Sequence, residues 1–301
     1  MSSQTADLLT GWLETRLPES AARFLREARE ELAGGVEPRR LGMLLGLASR
    51  HARDRVALAP SGSELEAAAV LHPGWTPERW GQLEALRVAL LLSFSDLTSE
   101  AFEQAVEFLF SRADEGESRA LFRGLGLTPD PARFLWRLQD GCRTNIVPVF
   151  EAIACDTPFP AVGFEAVAWR QLCIKAVFIG APLWRVVGLD GRLDADLARM
   201  ALDLVEERRS AGRPIPADLW LCMGEFDPER ALPALEREAR EGTDEGRAAA
   251  LLALGRAGQA PRAQAIAGSG PDAAWAQQAA DGVTGQALWG TLPGRAATAT
   301  A

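Results

Sequence analysis

Across 301 residues the apolar side chains recur at every third or fourth position, and no convincing run alternates every second one. That spacing lines one side of a helix and gives a strand no apolar face, so the chain is restricted to helices packed on helices. The punctuation agrees. Ser20 to Ala33 carries Ala22, Leu25, Ala28 and Leu32 on one face and stops at Gly34 and Gly35, as a helix end needing positive φ does. Glu37 to Arg50 presents Leu41, Leu44, Leu45 and Leu47. Ser63 followed by Glu66 reads as a capping box for a helix ending near Leu71. Thr76 and Pro77 read as a cap and a first-turn proline, opening a helix with Trp80, Leu83, Leu86 and Leu90 inside. Thr98 opens the next, facing Phe102, Val106 and Phe110 inward, and Asp114 opens one to Leu125. In the last third, Asp227 and Pro228 start a helix through Glu241, another runs from Ala248 to Gly258, and Pro261 and Pro271 open short ones.

The expected fold is all-α, an irregular array of stacked antiparallel helix pairs of HEAT or armadillo character. Residues 1–225 are expected to form one helical domain, 226–289 HEAT-like helix pairs, and 290–301 a disordered tail of small polar residues.

Charge and composition exclude several functions. The net charge is -9, and the basic pairs Arg39-Arg40 and Arg208-Arg209 are short and flanked by acids, so no nucleic-acid face is expected. Four Cys without a CxxC pair read as reduced, mostly buried thiols of a cytoplasmic protein. The first twenty residues have no apolar secretory core. The apolar run from Leu172 to Leu189 contains Lys175, Gly180, Pro182, Arg185 and Gly188 and reads as a buried helix, a turn and a second short helix, with no transmembrane segment. Dinucleotide, P-loop, zinc-hydrolase and nucleophile-elbow motifs are missing and there are two His, so neither a cofactor nor a metal is expected and no catalytic residue is assigned.

Chemistry is concentrated between residues 139 and 215. The sole Lys (Lys175) and the sole Asn (Asn145) lie there. Asn145 is expected at a helix start, either capping it or turned toward a pocket where backbone N–H groups favour an anion. Glu151 sits inside an otherwise apolar helix that ends near Ala154, and Asp156 follows at its C-terminal end, where a carboxylate opposes the dipole and needs a partner such as Arg143. A helix from Pro160 to Ile179 reads as apolar nearly all round and therefore central and buried, with Gln171 and Lys175 stacked four apart and Trp169 on another face. A buried ammonium needs a carboxylate, and Glu151, Asp156 and Asp190 are the nearby choices. Asp190-Gly191 supplies a turn. Asp194 caps a helix to about Ala211 with Leu193, Leu197, Met200 and Leu204 inward, and Asp196, Arg199, Asp203 and Glu206 form a solvated ladder. The candidate ligand-binding residues are Asn145, Glu151, Asp156, Trp169, Gln171, Lys175 and Asp190.

This segment resembles the EboA family. The resemblance is carried by TNIVPVFEAIACDTPFP (Thr144 to Pro160), Trp169, Gln171-Leu172, Lys175, PLWRVVGLDGRLDADLARM (Pro182 to Met200) and ERRSAGRPI (Glu207 to Ile215), while the Ala-, Gly- and Arg-rich last third departs from it. It implies a protein of metabolite traffic. The family is encoded in a bacterial secondary-metabolite cluster with a prenyltransferase-like membrane protein, a sugar-phosphate cyclase-like enzyme and a sugar-phosphate isomerase-like protein. Its role includes export of a pigment precursor to the periplasm in cyanobacteria. The partners so implied are a small metabolite or other proteins of the cluster, contact with its membrane enzyme included. Three readings follow: a non-enzymatic scaffold that binds a metabolite or partner, an enzyme on a cyclitol or sugar-phosphate-like substrate using Lys175 with Glu151 or Asp156, and a structural protein whose central charges neutralise one another.

Overall fold

The computed structural model describes residues 2–295. Among these residues the fold is all-α, with one isolated antiparallel bridge between Ala57 and Gly81 as its only β-type pairing. No helix among them is long and apolar enough to cross a membrane. The chain divides into two compact units, residues 1–164 and 165–301.

The first unit contains α1 (Ser2–Glu14), α2 (Glu19–Ala33), α3 (Pro38–Leu47), α4 (Gly62–Leu71), α5 (Gln82–Leu91), α6 (Glu100–Phe110), α7 (Glu115–Leu125), α8 (Leu135–Gly141), α9 (Val147–Ala154) and α10 (Phe159–Gly163). Its centre is α5. Every residue from Leu83 to Leu91 is buried, including Glu84 and Arg87, and α1, α2, α3 and α7 pack around it. A helix buried on all sides is the core of its layer. Sequence periodicity placed that role on the later apolar helix, which proves two-faced.

Several helix starts shift from their expected residues, each for a local reason. The capping box is Ser61 with Glu64, two residues before the expected pair, and Glu64 also holds Arg16, in the turn after α1, at 2.5 Å. Both pairs satisfy the same pattern, and the tertiary ion pair favours the earlier one. Thr76 accepts no capping bond. Pro77–Arg79 forms only a 3₁₀ turn, and α5 begins after Gly81. Thr98 gives both its N–H and its hydroxyl to Asp96, so Ser99 caps α6 instead. Asp114 caps α7 as expected, in a full box with Glu117.

The second unit contains α11 (Ala166–Ile179), α12 (Ala195–Ser210), α13 (Pro228–Glu241), α14 (Asp244–Arg256), α15 (Ala260–Ala267) and α16 (Ala273–Ala280). The helix expected from Pro160 to Ile179 is broken at Phe164 and Glu165, where the backbone is extended, into α10 and α11. The core here is α14, whose Ala248 to Leu254 are all fully buried and which packs against α13, α15, α16 and the 3₁₀ segment Ala217–Cys222. Its run of alanines lets those neighbours approach closely. In α12 the buried stripe is Leu197, Ala198, Ala201, Leu202 and Val205, while Met200 and Leu204 are half-buried. The ladder of α12 forms: Arg199 reaches Asp196 and Asp203, and Arg230 reaches Asp203 and Glu206.

The chain is still packed close to the end of the described residues. Trp289 is fully buried, Leu292 is 1% exposed, and Arg295 lies 2.5 Å from both Asp218 and Glu245. Asp218 in turn accepts from Leu183 N–H. Residues 296–301 lie outside the described residues.

The close approach of α5 and α7 depends on Gly124, where an added Cβ would stand 2.6 Å from Leu91 Cδ2. Gly11 on α1 has open space around the same position. Gly124→Ala is expected to lower unfolding free energy by about 1–3 kcal/mol through overpacking, and Gly11→Ala to raise it by up to about 1 kcal/mol through helix propensity, both read by urea unfolding.

Candidate functional site

The residues singled out by the sequence fall in both units. In residues 1–164, Asn145 is exposed and lies one position ahead of Ile146, the N-cap of α9. It is therefore not the cap, and the Thr144 hydroxyl accepts from Ile146 N–H in its place. Glu151 is half-buried on α9. Asp156 is buried with a left-handed φ of 59°, and its backbone carbonyl accepts from Thr76 N–H. Asp is among the few residues that tolerate that conformation. Arg143, the expected partner of Asp156, is instead 3.8 Å from Asp140 at the surface.

In residues 165–301, α11 buries Trp169, Leu172, Cys173, Ala176 and Val177 and exposes Val167, Gln171 and Phe178. Apolar residues on both faces concealed this asymmetry from a periodicity reading. Lys175 is half-buried, with Nζ 5.9 Å from the Phe178 ring centroid. The Arg192 guanidinium covers the Trp169 ring at 4.6 Å. Asp190 is held by Arg256 at 2.7 Å and by Gln286 N–H at 2.8 Å, so it is not the counter-charge of Lys175. Gln286 also donates to the Trp184 and Val186 carbonyls, which makes this a tie between the turn and the C-terminal segment.

The four cysteines are free thiols. Burial pushes the Cys142 and Cys222 thiols up to about 12 and Cys173 well above its ordinary value. Burial that disfavours the thiolate lowers the nucleophilicity of a cysteine.

Two features of the first unit escaped the sequence reading. One is a buried charge cluster. Glu84 Oε1, on α5, accepts from Arg123 Nε at 3.0 Å and lies 3.3 Å from Arg119 Nη2, both on α7 one turn apart. Arg123 also reaches the Cys155 carbonyl at 3.5 Å and lies over the Trp80 ring at 5.2 Å. Glu84 is 1% exposed. Its other oxygen, the Thr157 hydroxyl and the Trp80 indole N–H have no protein partner among the described residues. On the same helix Arg87 donates to the Leu45 carbonyl at 3.2 Å and stands 3.6 Å from Glu117.

The other is a groove of about 260 Å³ between α3, α6 and α7, lined by Gly42, Met43, Phe108, Leu109 and Leu121, with Arg39, Arg112 and Glu117 as its charged members. Leu45, Glu117 and Leu121 also line a smaller cavity behind it, together with Arg87. Gly42 packs closely in the groove wall: a Cβ there would meet Leu109 Cδ2 at 3.2 Å, tight enough to make that side chain give way, and Phe108 Cε1 at 3.7 Å. In the sequence Arg39-Arg40 is a short basic pair among acids. The structure divides it, with Arg40 gripped by both oxygens of Glu31 and Arg39 lining the groove. In the second unit a more open depression of about 430 Å³ neutralises itself, because Arg240 and Arg262 both bond Glu236.

Comparison with known proteins gives one family: the sequence model described as "Metabolite traffic protein EboA" matches residues 5–224. No curated protein and no solved structure matches the chain. The sequence resemblance rested on 144–215, and the match extends it through all the helices that build the groove.

The charge cluster yields a stability test. Glu84→Gln removes one member of a buried pair and is expected to cost about 3 kcal/mol in urea unfolding. Glu84→Leu combined with Arg123→Met should recover much of that loss, since it removes both fully buried charges and leaves only Arg119, whose side chain is 23% exposed and can be hydrated, without its carboxylate.

Proposed function

The chain belongs to the EboA family of metabolite traffic proteins, and from that premise we propose that it is a non-enzymatic helical scaffold that holds a small metabolite in the groove between α3, α6 and α7. Its setting in this reading is the cytoplasm of a bacterium, within a secondary-metabolite cluster whose other proteins supply or receive the ligand. Stacking of its helix pairs in the HEAT manner would provide the rigid frame. The observation that carries the reading is the groove itself. It is largely apolar, it has a few charged groups at its margin, and it lies inside the matched residues 5–224. That combination is the usual composition of a small-molecule site. The neutral thiols and the engagement of Asp190 by Arg256 lend no support to covalent chemistry.

Native mass spectrometry of protein purified from its own host tests this. A small molecule should co-purify with the wild type and with Lys175→Met, and should be lost from Gly42→Leu, whose side chain enters the groove, in protein whose cooperative thermal unfolding shows that it is folded. A spectrum without ligand in the wild type overturns the reading. Loss in Lys175→Met with retention in Gly42→Leu moves the site to α11.

A further inference from the structure

We infer that the groove between α3, α6 and α7 takes an anionic amphiphile, a molecule with an apolar body and a phosphate or carboxylate head. This rests on the groove being the binding site. The chain carries a net charge of -9 and pairs many of its arginines with acids. Arg39 and Arg112, which line the groove, have no carboxylate partner among the described residues. Arg112 lies over the Phe108 ring at 4.2 Å, and its one side-chain hydrogen bond is to Ser111 Oγ at 2.8 Å. Stacking on the ring orients the guanidinium and leaves in-plane N–H groups for a ligand oxygen. Each guanidinium carries a planar fork of N–H donors that matches a phosphate or carboxylate, and both Arg39 and Arg112 line the groove.

The remaining charge at the groove does not oppose this. Glu117 accepts from Asp114 N–H through Oε2 and faces Arg87 Nη2 through Oε1 at 3.6 Å, so its charge is compensated from within the fold. It lies where the groove meets the inner cavity. The rest of the wall is aliphatic or aromatic, and Met43, 51% exposed, offers an adaptable thioether to an apolar body. A neutral ligand would leave both arginines unused, and a cationic one would be repelled by them.

The test uses three probes with the same tail and different heads: decyl phosphate, decanol and decylammonium. Each is titrated calorimetrically into the full-length protein below its aggregation concentration. Decyl phosphate should bind about tenfold tighter than decanol, with decylammonium weakest, and added salt should narrow the gap because the arginines are exposed. Arg39→Gln combined with Arg112→Gln should abolish the preference, bringing decyl phosphate down to the affinity that the same variant shows for decanol. Gly42→Leu should weaken all three. Equal affinity for the three heads, still lost in Gly42→Leu, would overturn the anionic head and leave the groove as a binding site. Absence of binding by every probe would overturn both. A phosphate preference that survives the double arginine variant would place the anion site elsewhere and overturn the inference.

Discussion

The first unit depends on a carboxylate placed where carboxylates are costly. Glu84 is on a helix enclosed on all sides, and it is tolerable there because two arginines of α7, four residues apart, meet the same oxygen. A buried ion pair contributes little net stability against an apolar replacement, but a broken one is severely destabilising. It therefore acts as a constraint on register: α7 packs on α5 only where Arg119 and Arg123 face Glu84. Three residues further along α5, Arg87 ties in the end of α3 through the Leu45 carbonyl and α7 through Glu117. Two groove-forming helices, α3 and α7, are thus fixed to one central helix by polar contacts with directional demands. The groove is preformed for that reason, and a preformed site loses less ordering entropy when a ligand enters.

Much of the helical framework was legible in the sequence. Asp114, Asp194 and Gly242 sit where caps and stops were expected, because those signals are local: a short side chain meets a free N–H two or three residues away, or a glycine ends the turn. Starts were misplaced where two local solutions competed, and a distant residue decided. Arg16 selected Glu64 over Glu66, and Asp96 occupied Thr98. Burial was harder to read. Two charges did not mark α5 as the core helix, while α11, richer in apolar residues, has a solvent face. Hydrophobic count reports what can be buried, and partners such as Arg123 determine what is.

The candidate site shows the same limit. Rarity drew attention to Lys175 and Asn145, but rarity is compositional and carries no geometry. The groove residues were unremarkable in the sequence: an arginine in a basic pair, a glycine inside a helix, a phenylalanine beside the inward face of α6. What distinguishes Arg39 from Arg40 is that Glu31 reaches only one of them. That difference arises from the packing of α2 and α3, which no spacing rule encodes. The family match, spanning 5–224, includes both the central segment and the groove helices, so it supports attention to each.

Gly42 gives the groove a property of its own. It lines the floor at a helical position, facing the ends of Leu109 and Phe108 rather than backbone. A first added carbon stands 3.2 Å from Leu109 Cδ2, so enlarging this side chain takes space from the groove and makes Leu109 give way. If the groove holds the ligand as proposed, the position acts as a ruler: among ligands of one chemical type, the side chain at residue 42 would set the longest body the groove admits. On that reading, size selectivity changes through a single codon, with Leu109 as the neighbour that adjusts.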